Sequence, residues 1–243
     1  MDKYSLYGVD LCPMSKAILL EKLCKALEGR KQICVFTPNL QMLGSAAKDK
    51  RLAGLLNSAD ILLPDGVGIH LAAKRSGYTL PDKMTGIDTA YSLLRYASVL
   101  GYRVFLLGGG KGVAESARKN LKKQLPALCV CGTHHGYFDK RRDSPQNREV
   151  LKKIQKARPD ILFVCFGFPL QEIWIKQNAS ALTSVRLLMG LGGSLDVWSG
   201  KTQRAPKAFQ RMNLEWMWRC IREPKRILPL VKNLVTVFLS ELS

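Results

Sequence analysis

The stretch Arg103-Val104-Phe105-Leu106-Leu107-Gly108-Gly109-Gly110-Lys111-Gly112-Val113 decides the fold. Arg103 to Leu107 reads as a short strand that is continuously apolar from Val104 onward. The glycines stop that strand. Val113 to Leu125, rich in Ala and Lys, then takes up a helical spacing. A strand apolar on both faces must be covered on both faces. A strand followed by a glycine turn and a helix is the repeating unit of a parallel sheet.

The same unit recurs in both directions. Upstream, Gln32 to Phe36 ends at Thr37-Pro38-Asn39, and Asp60 to Leu63 ends at Pro64-Asp65-Gly66. Downstream, Leu128 to Cys131 leads into Gly132-Thr133-His134-His135-Gly136-Tyr137. Asp160 to Cys165 ends at Phe166-Gly167-Phe168-Pro169, and Val185 to Met189 ends at Gly190-Leu191-Gly192-Gly193. Helical spacing appears in Ser15 to Leu27, which puts Ile18, Leu19, Leu23 and Leu27 on one face. It appears again in Ser144 to Ala157 and in Leu170 to Leu182. The fold class is therefore α/β, a doubly wound, mostly parallel, Rossmann-like sheet. A chain of 243 residues, 47% of them apolar, can fill such a core, which excludes global disorder.

The character changes near Gly200, so residues 1–199 read as the α/β body and residues 200–243 as a helical appendage. The appendage carries Lys201, Arg204, Lys207, Arg211, Arg219, Arg222, Lys225 and Arg226, interleaved with Trp216 and Trp218. Arg219, Arg222 and Arg226 are spaced to share a helical face. A mixed apolar and polar helical run, Ile227 to Leu239, follows, and Pro224 and Pro229 break the appendage into two pieces. Basic, aromatic and apolar residues in this mixture suit an anionic membrane surface.

The formal net charge of +19 calls for an anionic partner. Nucleic acid is disfavoured, because no recognisable nucleic-acid-binding motif is present and the cations cluster beside apolar residues. The seven cysteines, Cys12, Cys24, Cys34, Cys129, Cys131, Cys165 and Cys220, have neither zinc-ribbon nor redox-pair spacing and read as reduced thiols. The N-terminal residues lack the apolar core of a signal peptide, and no run reaches the roughly 18 apolar residues of a membrane span. The body is expected in the cytoplasm.

Ligands of an open parallel sheet bind outside the carboxyl ends of its strands, where all six loops lie. Gly108, Gly109 and Gly110 open a helix and could bring backbone amides to a phosphate. They do not form a P-loop, since no Ser or Thr follows Lys111. Asp65, at a strand end, could take a proton from a hydroxyl, or could cap a helix starting near Val67. Thr37 and Asn39 carry the same two readings. His134 and His135 invite a metal, but neighbours on an extended loop should point to opposite sides, and local hydrogen bonding is the better reading. No Asp-x-Asp pair exists to hold a divalent ion. Neither metal nor cofactor is expected, and arginine is the substitute for neutralising a diphosphate.

Together these residues resemble a known family, the WecG–TagA–CpsF bacterial cell-envelope glycosyltransferases (glycosyltransferase family 26), from about residue 5 to residue 230. The markers are Thr37-Pro38-Asn39, Leu63-Pro64-Asp65-Gly66-Val67-Gly68, Thr85-Gly86-Ile87-Asp88, Leu107-Gly108-Gly109 and Gly132-Thr133-His134-His135-Gly136-Tyr137-Phe138. Further along come Gly167-Phe168-Pro169-Leu170-Gln171-Glu172, Met189-Gly190-Leu191-Gly192-Gly193-Ser194-Leu195-Asp196-Val197, Arg204-Ala205-Pro206 and Leu214-Glu215-Trp216.

The resemblance implies transfer of a hexose from a UDP-sugar donor to a sugar on a polyprenyl diphosphate, at the inner face of the cell membrane. The TagA-like branch implies N-acetylmannosamine as the sugar, N-acetylglucosaminyl-diphospho-undecaprenol as the acceptor, and wall teichoic acid as the polymer. Other branches imply the uronic acid or another hexose. Asp65 would be the base, with Thr37 beside it. Nucleotide-sugar contacts would come from Asn39, Gly108, Gly109, Gly110, Gly136, Tyr137, Gly167, Gln171, Glu172, Gly192 and Asp196. Lys83, Arg204, Arg219, Arg222 and Arg226 would meet the diphosphate or lipid. Lys83 stands where the family pattern has an arginine, which keeps the charge and loses the fork. A homo-oligomer is compatible with this reading.

Overall fold

A computed structural model of the chain describes residues 3–29, 31–82, 84–211 and 215–222. The chain opens with an antiparallel hairpin of β1 (Tyr4–Leu6) and β2 (Val9–Leu11), turned by Tyr7 and Gly8 at positive φ. The sequence reading does not anticipate this hairpin, because strands of three residues carry no readable periodicity.

There follow α1 (Lys16–Glu28), β3 (Ile33–Phe36), α2 (Leu40–Lys48), α3 (Lys50–Asn57) and β4 (Ile61–Leu62). Two helices, α4 (Val67–Arg75) and α5 (Gly86–Leu100), lead to β5 (Arg103–Gly108). The second half runs α6 (Val113–Gln124), β6 (Cys129–His134), α7 (Pro145–Ala157), β7 (Ile161–Cys165), α8 (Leu170–Asn178) and β8 (Leu187–Gly190). Beyond it lie α9 (Ser194–Trp198), α10 (Lys207–Arg211) and α11 (Glu215–Arg222). The helix expected to reach Leu182 stops at Asn178, and a single 3-10 turn, Ala179–Ala181, continues it.

All six expected strands lie in one sheet, in the order β4-β3-β8-β7-β5-β6, and every pair is parallel. Side chains alternate across it, as a period of two requires. Val104 and Leu106 face a layer built from α1, α5 and α6, while Phe105 and Leu107 face one built from α2, α3, α4, α7 and α8. The β1–β2 hairpin packs Leu6, Val9 and Leu11 into the second layer. On α1, Leu19, Leu23 and Leu27 are fully buried, each contributing about 1.5–3 kcal/mol over an exposed position. Ile18, expected on the same face, is 42% exposed.

Side-chain caps fix where the helices begin. Ser15, Asn39, Asp49, Thr85 and Ser144 each accept a hydrogen bond from a first-turn amide of α1, α2, α3, α5 and α7 respectively. Because the strands are parallel, their six carboxyl ends lie along one edge. The site is assembled there.

Candidate active site

Asp65 lies just beyond β4. Its backbone amide donates to the Pro38 carbonyl at 2.8 Å, which ties it to the loop after β3. Asp65 is not the N-cap residue of α4. That position belongs to Gly66, at φ 84° and with no side-chain cap. Oδ1 of Asp65 instead accepts from the amide of Gly86, the first residue of α5, at 3.2 Å. The carboxylate is thus held at the amino end of a 15-residue helix, where negative charge is favoured.

Thr37, only 7% exposed, closes the same junction. Its hydroxyl donates to the Gly190 carbonyl at 3.1 Å, joining the ends of β3 and β8. A Cβ on Gly86 would meet Thr37 side-chain atoms at 3.0–3.2 Å, so glycine lets α5 approach this closely. Asn39 accepts from the Met42 amide at 3.1 Å and starts α2. The capping reading therefore holds for Asn39 and fails for Asp65.

Asp88, in the first turn of α5, accepts from the Thr85 hydroxyl at 2.6 Å. Both its oxygens are gripped by Arg204, each at 2.7 Å. The same guanidinium reaches Glu215 of α11 at 2.9 Å. Burial pushes the Asp88 carboxyl up, but Arg204 and the Thr85 hydroxyl outweigh it and leave it below its ordinary value. Burial likewise works against the Arg204 charge, and the two carboxylates more than restore it. Arg204, expected on a diphosphate, is engaged by carboxylates here. Sequence reasoning assigned no role to Asp88 or Glu215, although Thr85-x-x-Asp88 has the spacing of a capping box.

The glycines after β5 serve different ends. A Cβ on Gly108, at φ 138°, would lie 2.3 Å from the Cys165 carbonyl oxygen. One on Gly109 would strike Val113 at 2.7 Å. These two glycines let β5, β7 and α6 approach one another. The Gly109 amide donates to the Cys165 carbonyl and its carbonyl accepts from the Gly136 amide at 2.8 Å, so the loops after β5, β6 and β7 interlock. Gly110 lies beside the Tyr137 ring, which is 74% exposed. Lys140 lies over the Phe138 and Phe166 rings at 4.9 and 4.7 Å, donates to the Gly136 carbonyl, and is lowered in pKa by burial.

Gln171 ties the next two loops together. It is 3% exposed, and its Oε1 accepts from the Gly167 amide at 3.3 Å and the Gly192 amide at 2.9 Å. Its Nε2 donates to Glu172 at 2.8 Å. Glu172 is fully buried, its other carboxyl oxygen has no hydrogen-bond partner among the described residues, and burial raises its pKa. Asp196, in the first turn of α9, lies 3.3 Å from the Lys201 ammonium.

His134 and His135 do not point apart. Their ring centroids are 4.5 Å from each other, because β6 ends at His134 and the alternation of the strand ends with it. His134 Nδ1 meets the His135 carbonyl oxygen at 2.7 Å, and burial lowers its pKa. Among the described residues no three His, Cys, Asp or Glu side chains are grouped so as to hold a metal ion. Burial pushes Cys34 and Cys131 up to about 11 and Cys165 up to about 12, as expected of inert thiols.

Arg219 and Arg222 fall within α11, while Lys83 and Arg226 lie outside the described residues. No helix among the described residues is long and apolar enough to cross a membrane.

Comparison with known proteins bears on the family of the chain. The model for the Glycosyl transferase WecG/TagA/CpsF family matches residues 4–242. An N-acetylglucosaminyldiphosphoundecaprenol N-acetyl-beta-D-mannosaminyltransferase of Staphylococcus aureus (strain MRSA252) is 32% identical over 227 residues, covering 93% of this chain and 87% of the relative. A protein of the same name from Bacillus spizizenii (strain ATCC 23059 / NRRL B-14472 / W23) is 35% identical over 200 residues, covering 82% and 75%. With the match running over almost the whole length and the strand-end loops assembled as described, the chain belongs to the WecG/TagA/CpsF family of glycosyl transferases.

Proposed function

We propose that the protein moves N-acetylmannosamine from UDP-N-acetylmannosamine to N-acetylglucosaminyl-diphospho-undecaprenol. The transfer inverts the anomeric centre, needs no metal ion and takes place at the cytoplasmic face of the membrane. The observation that carries this reading is near-full-length similarity to relatives named for that transfer. The position of Asp65, a carboxylate held by an α5 amide at the edge where the loops converge, supplies the chemistry.

The donor lies along the carboxyl edge of the sheet. Asp65 follows β4 and the glycine turn follows β5, with β3, β8 and β7 between them. At about 4.8 Å per strand this separation is roughly 19 Å. One diphosphate cannot touch both. The nucleoside therefore belongs over Gly110 and Tyr137, the diphosphate over the Gly192 and Gly167 loops, and the sugar beside Thr37 and Asp65. This moves the diphosphate away from the Gly108–Gly110 turn, where the sequence alone would put it.

In the reaction, Asp65 takes the proton of the acceptor hydroxyl as its oxygen attacks the sugar's C1. The bond from C1 to the diphosphate breaks, and UDP leaves with the electron pair. A single displacement inverts C1. Cations from the basic appendage, Arg219, Arg222 and Arg226 among them, meet the charge that develops on the diphosphate. The same appendage lies against anionic lipid, where the acceptor is anchored.

The test is radiolabelled sugar transfer to a short-chain lipid acceptor in the presence of EDTA. Product from UDP-N-acetylmannosamine supports donor, acceptor and metal independence together. Activity only with another UDP-hexose overturns the donor. Activity abolished by EDTA and restored by a divalent ion overturns the metal-free mechanism.

A further inference from the structure

We infer that Asp88 is a positioning residue for the Asp65 carboxylate, and that Arg204 links both to the seating of α11. The inference rests on the proposed role of Asp65 as base and adds residues to which that role assigns nothing.

The contacts form one continuous path. Asp65 Oδ1 is held by the Gly86 amide, so the position of the base depends on where α5 begins. That start is set from two sides. Thr37 packs against Gly86 from the sheet. From the other side, the Thr85 hydroxyl accepts from the Asp88 amide at 3.3 Å and donates to the Asp88 carboxylate at 2.6 Å. Asp88 is in turn gripped through both oxygens by Arg204, whose remaining reach goes to Glu215 on α11. A paired fork of this kind is directional, and a point charge cannot reproduce it.

The arrangement does more than hold a helix end. A Thr cap alone would suffice to start α5. Here the third residue of the helix is also locked to a guanidinium 116 positions further along the chain. Arg204 is itself shared between the body and α11, so displacing α11 removes one of its two carboxylates. The remaining fork to Asp88 is then anchored from one side only, and the α5 turn that supplies the Gly86 amide is braced less firmly. A base whose orientation responds to the seating of a basic amphipathic segment is suited to an acceptor that is itself bound to a surface. Among the described residues the Lys16 charge also bears on Asp88.

The experiment uses the full chain with vesicles carrying the lipid acceptor. Asp88→Asn, Arg204→Lys and Glu215→Gln are measured alone and in an Asp65→Asn background. Asp88→Asn is expected to lower kcat about 10- to 100-fold, with the donor KM changed less than about twofold. In the Asp65→Asn background the further loss should shrink to less than about twofold, because the group being positioned is already gone. Equal fractional losses in both backgrounds, or a kcat within about twofold of wild type, overturn the inference.

Amide hydrogen exchange supplies a readout independent of catalysis. Arg204→Lys and Glu215→Gln should speed exchange at Gly86 and leave the α1 amides unchanged. Unaltered exchange at Gly86 overturns the linkage. If the wild type transfers no sugar while the variants still loosen Gly86, the linkage stands and the glycosyl-transfer reading fails.

Discussion

Replacing Gln171 by Leu tests whether the two central loops are held by a side chain or by their own backbones. Leucine fills much of the same space and keeps the helix propensity of α8. It removes three hydrogen bonds, from the Gly167 amide, from the Gly192 amide and to Glu172. An ordinary bond contributes about 1 kcal/mol, and a buried partner left unpaired costs about 1–3 kcal/mol. The two glycine amides are only partly buried and can recover water. Glu172 is fully buried and cannot, and one of its oxygens already has no partner among the described residues. The expected loss is therefore about 3–5 kcal/mol. In a chain of this size each kcal/mol lowers the midpoint by about 2–4 °C, so calorimetry should record a fall of roughly 6–20 °C. Donor KM should rise with it, because Gly167 and Gly192 border the proposed diphosphate position. A fall of less than about 3 °C would refute the claim that Gln171 fastens these loops.

Other outcomes follow from the same geometry. Glu172 has a raised pKa in the folded state, so the native protein holds its proton more tightly than the unfolded chain does. Stability from this group is present at low pH and is lost as pH rises through the folded value. Glu172→Gln should flatten that decline in a thermal-unfolding series from pH 4 to 8, and a parallel decline in both proteins would contradict it. Gly108→Ala brings a Cβ within 2.3 Å of the Cys165 carbonyl oxygen and must push β5 from β7, so expression of folded protein or its melting temperature should fall sharply. A melting temperature within about 2 °C of wild type would show that the strands tolerate the shift. Deleting residues 200–243 should abolish flotation with anionic liposomes, and retained flotation would assign lipid binding to the body.

Much of this was legible in the sequence for one physical reason. Strands buried on both faces are continuous apolar runs, and all six runs read that way lie in the sheet. Short elements escaped. The β1–β2 hairpin is too brief for a pattern. The four helices α2 to α5 follow one another with few strand residues between them, which blurs their separate faces. The strand-end rule brought these loops to one edge but could not say which residues hold structure. Asp65 and Asn39 occupy equivalent positions after adjacent strands, yet only Asn39 caps the helix it precedes. The difference is Gly66, whose positive φ turns the chain so that the Asp65 carboxylate meets α5 instead. Gln171 and Thr37 each fasten the loops they sit among, which no local pattern shows. The Asp88–Arg204–Glu215 contacts join segments far apart in sequence, and no local pattern announces such a meeting.

The role of Asp65 is the centre of the account, and Asp65→Asn addresses it most directly. Asparagine keeps the size and can still accept from the Gly86 amide, while losing the capacity to take a proton. Initial rates of N-acetylmannosamine transfer should fall about 100- to 10,000-fold, with donor binding retained. A loss smaller than about tenfold would contradict the assignment of Asp65 as the base.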